Sequence, residues 1–151
     1  MTVMSIPDGY SALTPYLILS DATAALAFYE RAFGARERLR LPAPGGKIGH
    51  AEIVIGGSVI MLADEFPAMD CKSPQAYGGS PISLHLYVLD ADVAFARALA
   101  AGAKIHRPLE NKFYGDRIGS VTDPFGYVWH IATHIEDVPH DELVRRAANM
   151  G

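Results

Sequence analysis

The chain has 151 residues, half of them hydrophobic and a fifth charged, which is enough for one ordinary globular domain with a real core. Its formal net charge of −4, with no basic tract, argues against nucleic acid as a partner. The single cysteine, Cys71, excludes an internal disulfide and a cysteine-built zinc site and reads as a spare thiol in a loop. Met1 to Tyr10 has neither the charged start nor the apolar core of a signal peptide, and no apolar run approaches a membrane span. The expectation is a cytoplasmic protein with no membrane partner.

Residues 1–12 read as an irregular lead-in, and Leu13 to Leu19 as a strand that Pro15 confines to an opening or edge position. Ser20 and Asp21 offer an N-cap to ATAALAFYERAF, in which Ala25, Leu26, Tyr29 and Phe33 recur at helical spacing and Gly34 is the stop. Strands are expected at 36–41, 47–55 and 58–63, with PAPGG as one turn and Gly56-Gly57 as a two-residue hairpin. Residues 66–80, with two prolines, two glycines and little periodicity, form a long loop of the kind that often carries function. The acidic pair Asp64-Glu65 at its start reads as solvated.

The pattern then begins again. Ile82 to Leu89 is a strand, Asp90 opens the helix ADVAFARALAA, Gly102 ends it, and strands follow at 104–109, 117–122 and 127–133. Between the last two, Asp123-Pro124-Phe125-Gly126 has β-turn chemistry, with Asp to bond the backbone ahead, Pro to fix φ and Gly to close. The tail from His140 suits a short amphipathic helix. Thr14 with Ser83, Asp21 with Asp90, Gly57 with Gly126 and Met61 with His130 share one offset of 69 residues, so the chain is an internal repeat. The fold class is α+β: two βαβββ modules, about 13–64 and 82–134, within one domain of 1–151, plus a C-terminal helix. Their free sheet faces are expected to form a cup-shaped mixed sheet around a cleft suited to a small organic molecule.

The segments DATAALAFYERAFGA, DADVAFARALAAGA and DPFGYVWHI resemble the vicinal oxygen chelate superfamily of glyoxalase I, bleomycin resistance proteins, fosfomycin resistance enzymes and extradiol dioxygenases. YGDRIGSVTDPFGYVW looks most like its PhnB-type branch. The resemblance implies a homodimer, and, in members that use a metal, four His or Glu ligands on the first and last strands of each module. Those slots fall here on Thr14, Met61, Ser83 and His130, of which His130 alone is a competent ligand. The usual metal site is therefore expected to be absent.

Strand alternation puts His50 with Glu52, Ser83 with His85 and Tyr87, and His130 with Val128 and Ala132. If those faces converge, His50, Glu52, His85 and His130 form a displaced site for a divalent metal. The competing reading makes His50 and Glu52 an exposed strand face, and His85 and His130 hydrogen-bonded pocket walls. Tyr16, Met61, Ser83, His85, Tyr87, Tyr114, Arg117 and His130 are the candidate ligand-binding residues. Arg117 is there to grip a carboxylate or phosphate, unless it pairs with Asp116 or Asp123 instead. His106, His134 and His140 read as surface or strand-end residues. Three functions follow: a metal-independent small-molecule binder, a metal-dependent lyase, isomerase or dioxygenase using the displaced site, or a structural module whose cleft is filled by its own side chains.

Overall fold

Aspartate begins both long helices and glycine ends them. In the computed structural model, which describes residues 2–150, Asp21 Oδ1 accepts from the Ala24 amide at 3.0 Å and starts α1 (Ala22–Phe33). Asp90 Oδ1 does the same for the Val93 amide at 3.2 Å and starts α2 (Ala91–Ala101). Gly34 closes α1 with φ of 68°, a left-handed conformation that favours glycine. Ala22, Ala25, Leu26, Phe28, Tyr29 and Ala32 form the buried stripe of α1; on α2 the stripe is Ala91, Phe95 and Ala98.

The chain divides into two compact units after Ser80. In the first, β1 (Tyr16–Leu19), β2 (Arg36–Ala43), β3 (Lys47–Ile55) and β4 (Ser58–Asp64) form a mixed sheet in the order β1-β4-β3-β2, with β1 parallel to β4. In the second, β5 (Ser83–Tyr87), β6 (Lys104–Asn111), β7 (Asp116–Thr122) and β8 (Val128–His134) repeat it as β5-β8-β7-β6, with β5 parallel to β8. A C-terminal helix, α3 (His140–Ala148), follows. The two βαβββ units and the final helix are the α+β architecture that the repeat implies. Among the described residues no helix is long and apolar enough to cross a membrane.

α1 and α2 each cover one face of their own sheet. Leu17, Leu19, Ala51, Ile53, Ile55, Ile60 and Leu62 are buried in the first unit, and Val121, Trp129 and Ile131 in the second. Gly119 has Phe95 of α2 so close that a Cβ would lie 2.8 Å from its ring, so glycine lets the helix approach the sheet there. The opposite face of the first sheet carries His50 and Glu52 among Tyr16, Ile18, Met61 and Ala63, and that of the second carries His85, Ser120 and His130.

Several boundaries move. β1 starts at Tyr16 rather than Leu13, because proline has no N–H for the ladder; the Pro15 carbonyl accepts from the Met61 amide at 2.9 Å and Thr14 lies before the strand. β2 runs on to Ala43, and a short 3-10 turn, Pro44–Gly46, replaces the expected PAPGG turn. Gly56 and Gly57 (φ 55° and 88°) form the expected two-residue hairpin, which needs positive φ at both positions.

Candidate functional site

On the first unit, β3 turns Ala51 and Ile53 under α1 and His50 and Glu52 to the other face. Glu52 is not exposed there; only 4% of it reaches solvent. Its Oε2 meets His50 Nε2 at 2.8 Å, and its Oε1 accepts a hydrogen bond from the Tyr10 hydroxyl. His50 Nδ1 in turn lies 2.8 Å from the Tyr16 hydroxyl. Arg38, at the irregularity that interrupts β2 between Glu37 and Leu39, stacks its guanidinium 4.6 Å from the Tyr10 ring centre and brings Nε to 3.9 Å from Glu52. Burial alone would raise the Glu52 carboxyl, but the hydrogen bonds from His50 and Tyr10, with Arg38 nearby, hold it below the ordinary value.

Beside this cluster is a cavity of about 500 Å³ lined by Tyr16, Ile18, Gly49, Ala63, Asp64, Phe66, Met69 and Cys71. Its outer wall is the start of the long loop. That wall is held by two bonds, Phe66 N to Cys71 O at 2.8 Å and Cys71 N to Phe66 O at 3.1 Å. Asp64 is buried rather than solvated: its two oxygens accept from the Ala22 amide (2.8 Å) and the Ile48 amide (2.7 Å), tying the start of α1 to β3. Glu65 accepts from the Ser73 amide at 3.1 Å, which anchors the far side of the loop.

On the second unit, the hairpin of β7 and β8 is held by Asp123. One carboxylate oxygen accepts from the Phe125 and Tyr127 amides at 2.9 and 3.0 Å, and the other from the Trp129 indole N–H at 3.0 Å. Trp129 then faces the core and its neighbour His130 the open face. His130 has both ring nitrogens engaged by hydroxyls, Nδ1 by Ser120 at 2.6 Å and Nε2 by Ser83 at 3.0 Å. Burial, then the nearby His85, Arg107 and His106, lowers its pKa and favours the neutral ring. His85 lies opposite His130 in the β5–β8 register, with ring centres 5.9 Å apart, and its ring is 4.8 Å from that of Tyr87. His85, Ser120, His130 and Tyr114 share a cavity of about 220 Å³ with Arg107, Glu110 and Lys112.

Asp116, 3% exposed, accepts from the Tyr87 hydroxyl at 2.7 Å and meets His134 Nδ1 at 2.8 Å; His134 Nε2 meets Asp137 at 2.7 Å. His134 is therefore a partner of a buried carboxylate, and those two hydrogen bonds raise its pKa. Arg117 is turned the other way. It grips Asp92 of α2 with two parallel bonds, Nε to Oδ2 at 2.7 Å and Nη2 to Oδ1 at 2.8 Å, and reaches Asn111 at 3.1 Å. It shares the helix-side parity of β7 with Gly119 and is absent from the open face, so both the ligand grip and the pairing with Asp116 or Asp123 give way to a helix–sheet tie.

The model of the Glyoxalase/Bleomycin resistance protein/Dioxygenase superfamily matches residues 12–131. The chain belongs to that superfamily. It is 41% identical over 143 residues to an uncharacterised protein of Mycobacterium bovis, covering 93% of this chain and 94% of that one. Among solved structures it is similar to TioX from Micromonospora sp. ML1, with 31% identity, a TM-score of 0.65, and 85% of this chain and all of that one covered. A Bacillus cereus PhnB protein, at 20% identity, TM-score 0.63, and 82% and 99% coverage, shares the fold.

The four slots that the superfamily resemblance singled out carry Thr14, Met61, Ser83 and His130. Thr14 is off the strand, Met61 is a thioether on β4, Ser83 is spent on His130, and His130 has no ring nitrogen without a hydroxyl partner. Of the other candidates, His50 and Glu52 lie in the first unit and His85 and His130 in the second. Among the described residues no group of three or more His, Cys, Asp or Glu is placed to hold a metal ion. Sequence reasoning missed Tyr10, Arg38 and the burial of Asp116; Tyr10 lay in a segment read as irregular.

Proposed function

We propose that this member of the superfamily binds a small organic molecule of planar, largely apolar character, without the metal that other members hold. The observation that carries the reading is the cavity of about 500 Å³ on the first unit, walled by Tyr16, Ile18, Ala63, Phe66, Met69 and Cys71. Its volume falls within the range of about 300–1,000 Å³ usual for small-ligand sites, and an apolar wall with a few polar groups is the usual lining. The saturated His130 supports the metal-independent part, because a ligand must offer a free lone pair to an ion. The homodimer implied by family resemblance belongs to the same proposal, and sedimentation equilibrium tests it.

The test is thermal stabilisation by bicyclic aromatic probes on protein treated with EDTA, and again after loading with Zn²⁺, Fe²⁺ or Mn²⁺ and desalting. The expected result is stabilisation that chelation leaves unchanged and that Ala63→Leu, which fills part of the cavity, abolishes. A stoichiometric ion that is lost in His130→Ala, with probe binding that requires it, would overturn the reading in favour of a metal-dependent enzyme.

A further inference from the structure

The hydrogen-bonded chain Tyr10–Glu52–His50–Tyr16 ends at the wall of the cavity, and it has a direction. Glu52 is nearly inaccessible, and both its oxygens are engaged, one by Tyr10 and one by His50. A carboxylate only accepts, so His50 Nε2 must be the donor. In a neutral imidazole the other nitrogen, Nδ1, is then a lone pair. The Tyr16 hydroxyl, 2.8 Å away, can satisfy it only by giving up its one proton in a hydrogen bond.

Tyr16 does not lose that proton altogether. Burial, then the neighbouring Cys71 and Glu52, raise its pKa, so it remains a phenol. Tyr16 lines the cavity, and what its hydroxyl has left to offer is an oxygen with lone pairs and no free hydrogen. Of the other polar groups on the wall, Asp64 already accepts from two backbone amides, and the Cys71 thiol is 3.7 Å from the Met69 carbonyl.

We propose that Tyr16 is the specificity-determining residue of this cavity. It accepts a hydrogen bond from an N–H or O–H on the edge of a planar apolar ligand and disfavours a ligand that presents a lone pair there. His50 is the positioning residue that fixes the direction of the hydroxyl. The inference rests on the binding reading above and adds the polarity of the ligand edge to it.

Three probes of one outline separate the possibilities: indole, with a ring N–H; benzothiophene, with sulfur in its place; and quinoline, with a ring lone pair. Affinities are measured by calorimetry at pH 8.5, above the ordinary histidine range of about 6.5. Wild type is expected to bind indole about three- to ten-fold tighter than benzothiophene, the span of one net hydrogen bond, although benzothiophene is the more apolar. Quinoline is expected to bind more weakly than either.

Tyr16→Phe should erase the preference of indole over benzothiophene. His50→Leu, which frees the Tyr16 proton, should raise quinoline relative to indole. Equal affinities in wild type, or a preference that survives Tyr16→Phe, would overturn the role of Tyr16 while the cavity reading stands. An unchanged ranking in His50→Leu would overturn the role of His50. Failure of all three probes to bind wild type would bring down the cavity reading and this inference with it.

Discussion

Replacing Asp123 with alanine removes the acceptor for three donors at once: the Phe125 and Tyr127 amides and the Trp129 indole N–H. All three residues are buried, with Trp129 at 1% exposure, so water does not readily substitute. A buried donor left without a partner costs about 1–3 kcal/mol, and some of the sum is returned because a buried carboxylate no longer has to be desolvated. The expected loss for Asp123→Ala is about 3–5 kcal/mol, a large fraction of the stability of an ordinary domain. Asp123→Asn retains one oxygen for the two amides but sets its NH₂ against the indole N–H, and is expected to lose about 1–3 kcal/mol.

The assay is urea denaturation followed by the fluorescence of Trp129, the only tryptophan in the chain, which reports on the second unit directly. The alanine variant should also show red-shifted emission in the absence of denaturant. An Asp123→Ala loss below about 1 kcal/mol with unshifted emission would refute the assignment of Asp123 as the hub of this hairpin.

Asp64→Ala should leave the Ala22 and Ile48 amides bare and cost about 2–4 kcal/mol, read as a lower urea midpoint by far-UV circular dichroism. Arg117→Ala should leave indole affinity unchanged and lower the melting temperature only slightly, since its Asp92 pair is solvent-exposed. Gly115→Ala should cost about 2 kcal/mol or more: φ is 97° and a Cβ would collide with the Glu136 carbonyl oxygen, an outcome that thermal melting checks. In an NMR titration, His130 should titrate below, and His134 above, the ordinary histidine value of about 6.5. The linkage signs are opposite. Acidification from 6.5 toward the His130 value protonates the unfolded chain first and costs stability; the stabilisation from protonated His134 is fully present below 6.5 and is lost as pH rises through its raised value.

Local chemistry was what the sequence displayed best. The repeat, both aspartate caps, the glycine hairpin and the DPFG turn depend on neighbours a few residues apart, and those neighbours are visible in one dimension. Alternation likewise set His50 beside Glu52 and Ser83 beside His85, because residues two apart on a strand share a face. Long-range partners were hidden. Asp64 looked solvated because its donors, Ala22 and Ile48, are remote in sequence, and Tyr10 reaches Glu52 from a stretch without periodicity. The orientation of Arg117 required the register of β7, whose parity with Ser120 places the arginine on the opposite face.

The superfamily match covers residues 12–131, yet both ends of the chain reach past it to brace what lies inside. Tyr10 completes the Glu52 carboxylate, and Arg146 of α3 holds the Phe113 carbonyl at 2.8 Å and Glu136 at 3.1 Å, steadying the turn that carries Tyr114. A protein trimmed to residues 12–131 would keep seven strands and both long helices whole and would lose the last three residues of β8. It would also leave one oxygen of a buried acid bare and one pocket wall unsupported. The segments outside the match are therefore working parts of the structure, one closing the Glu52 cluster and the other holding the turn before β7.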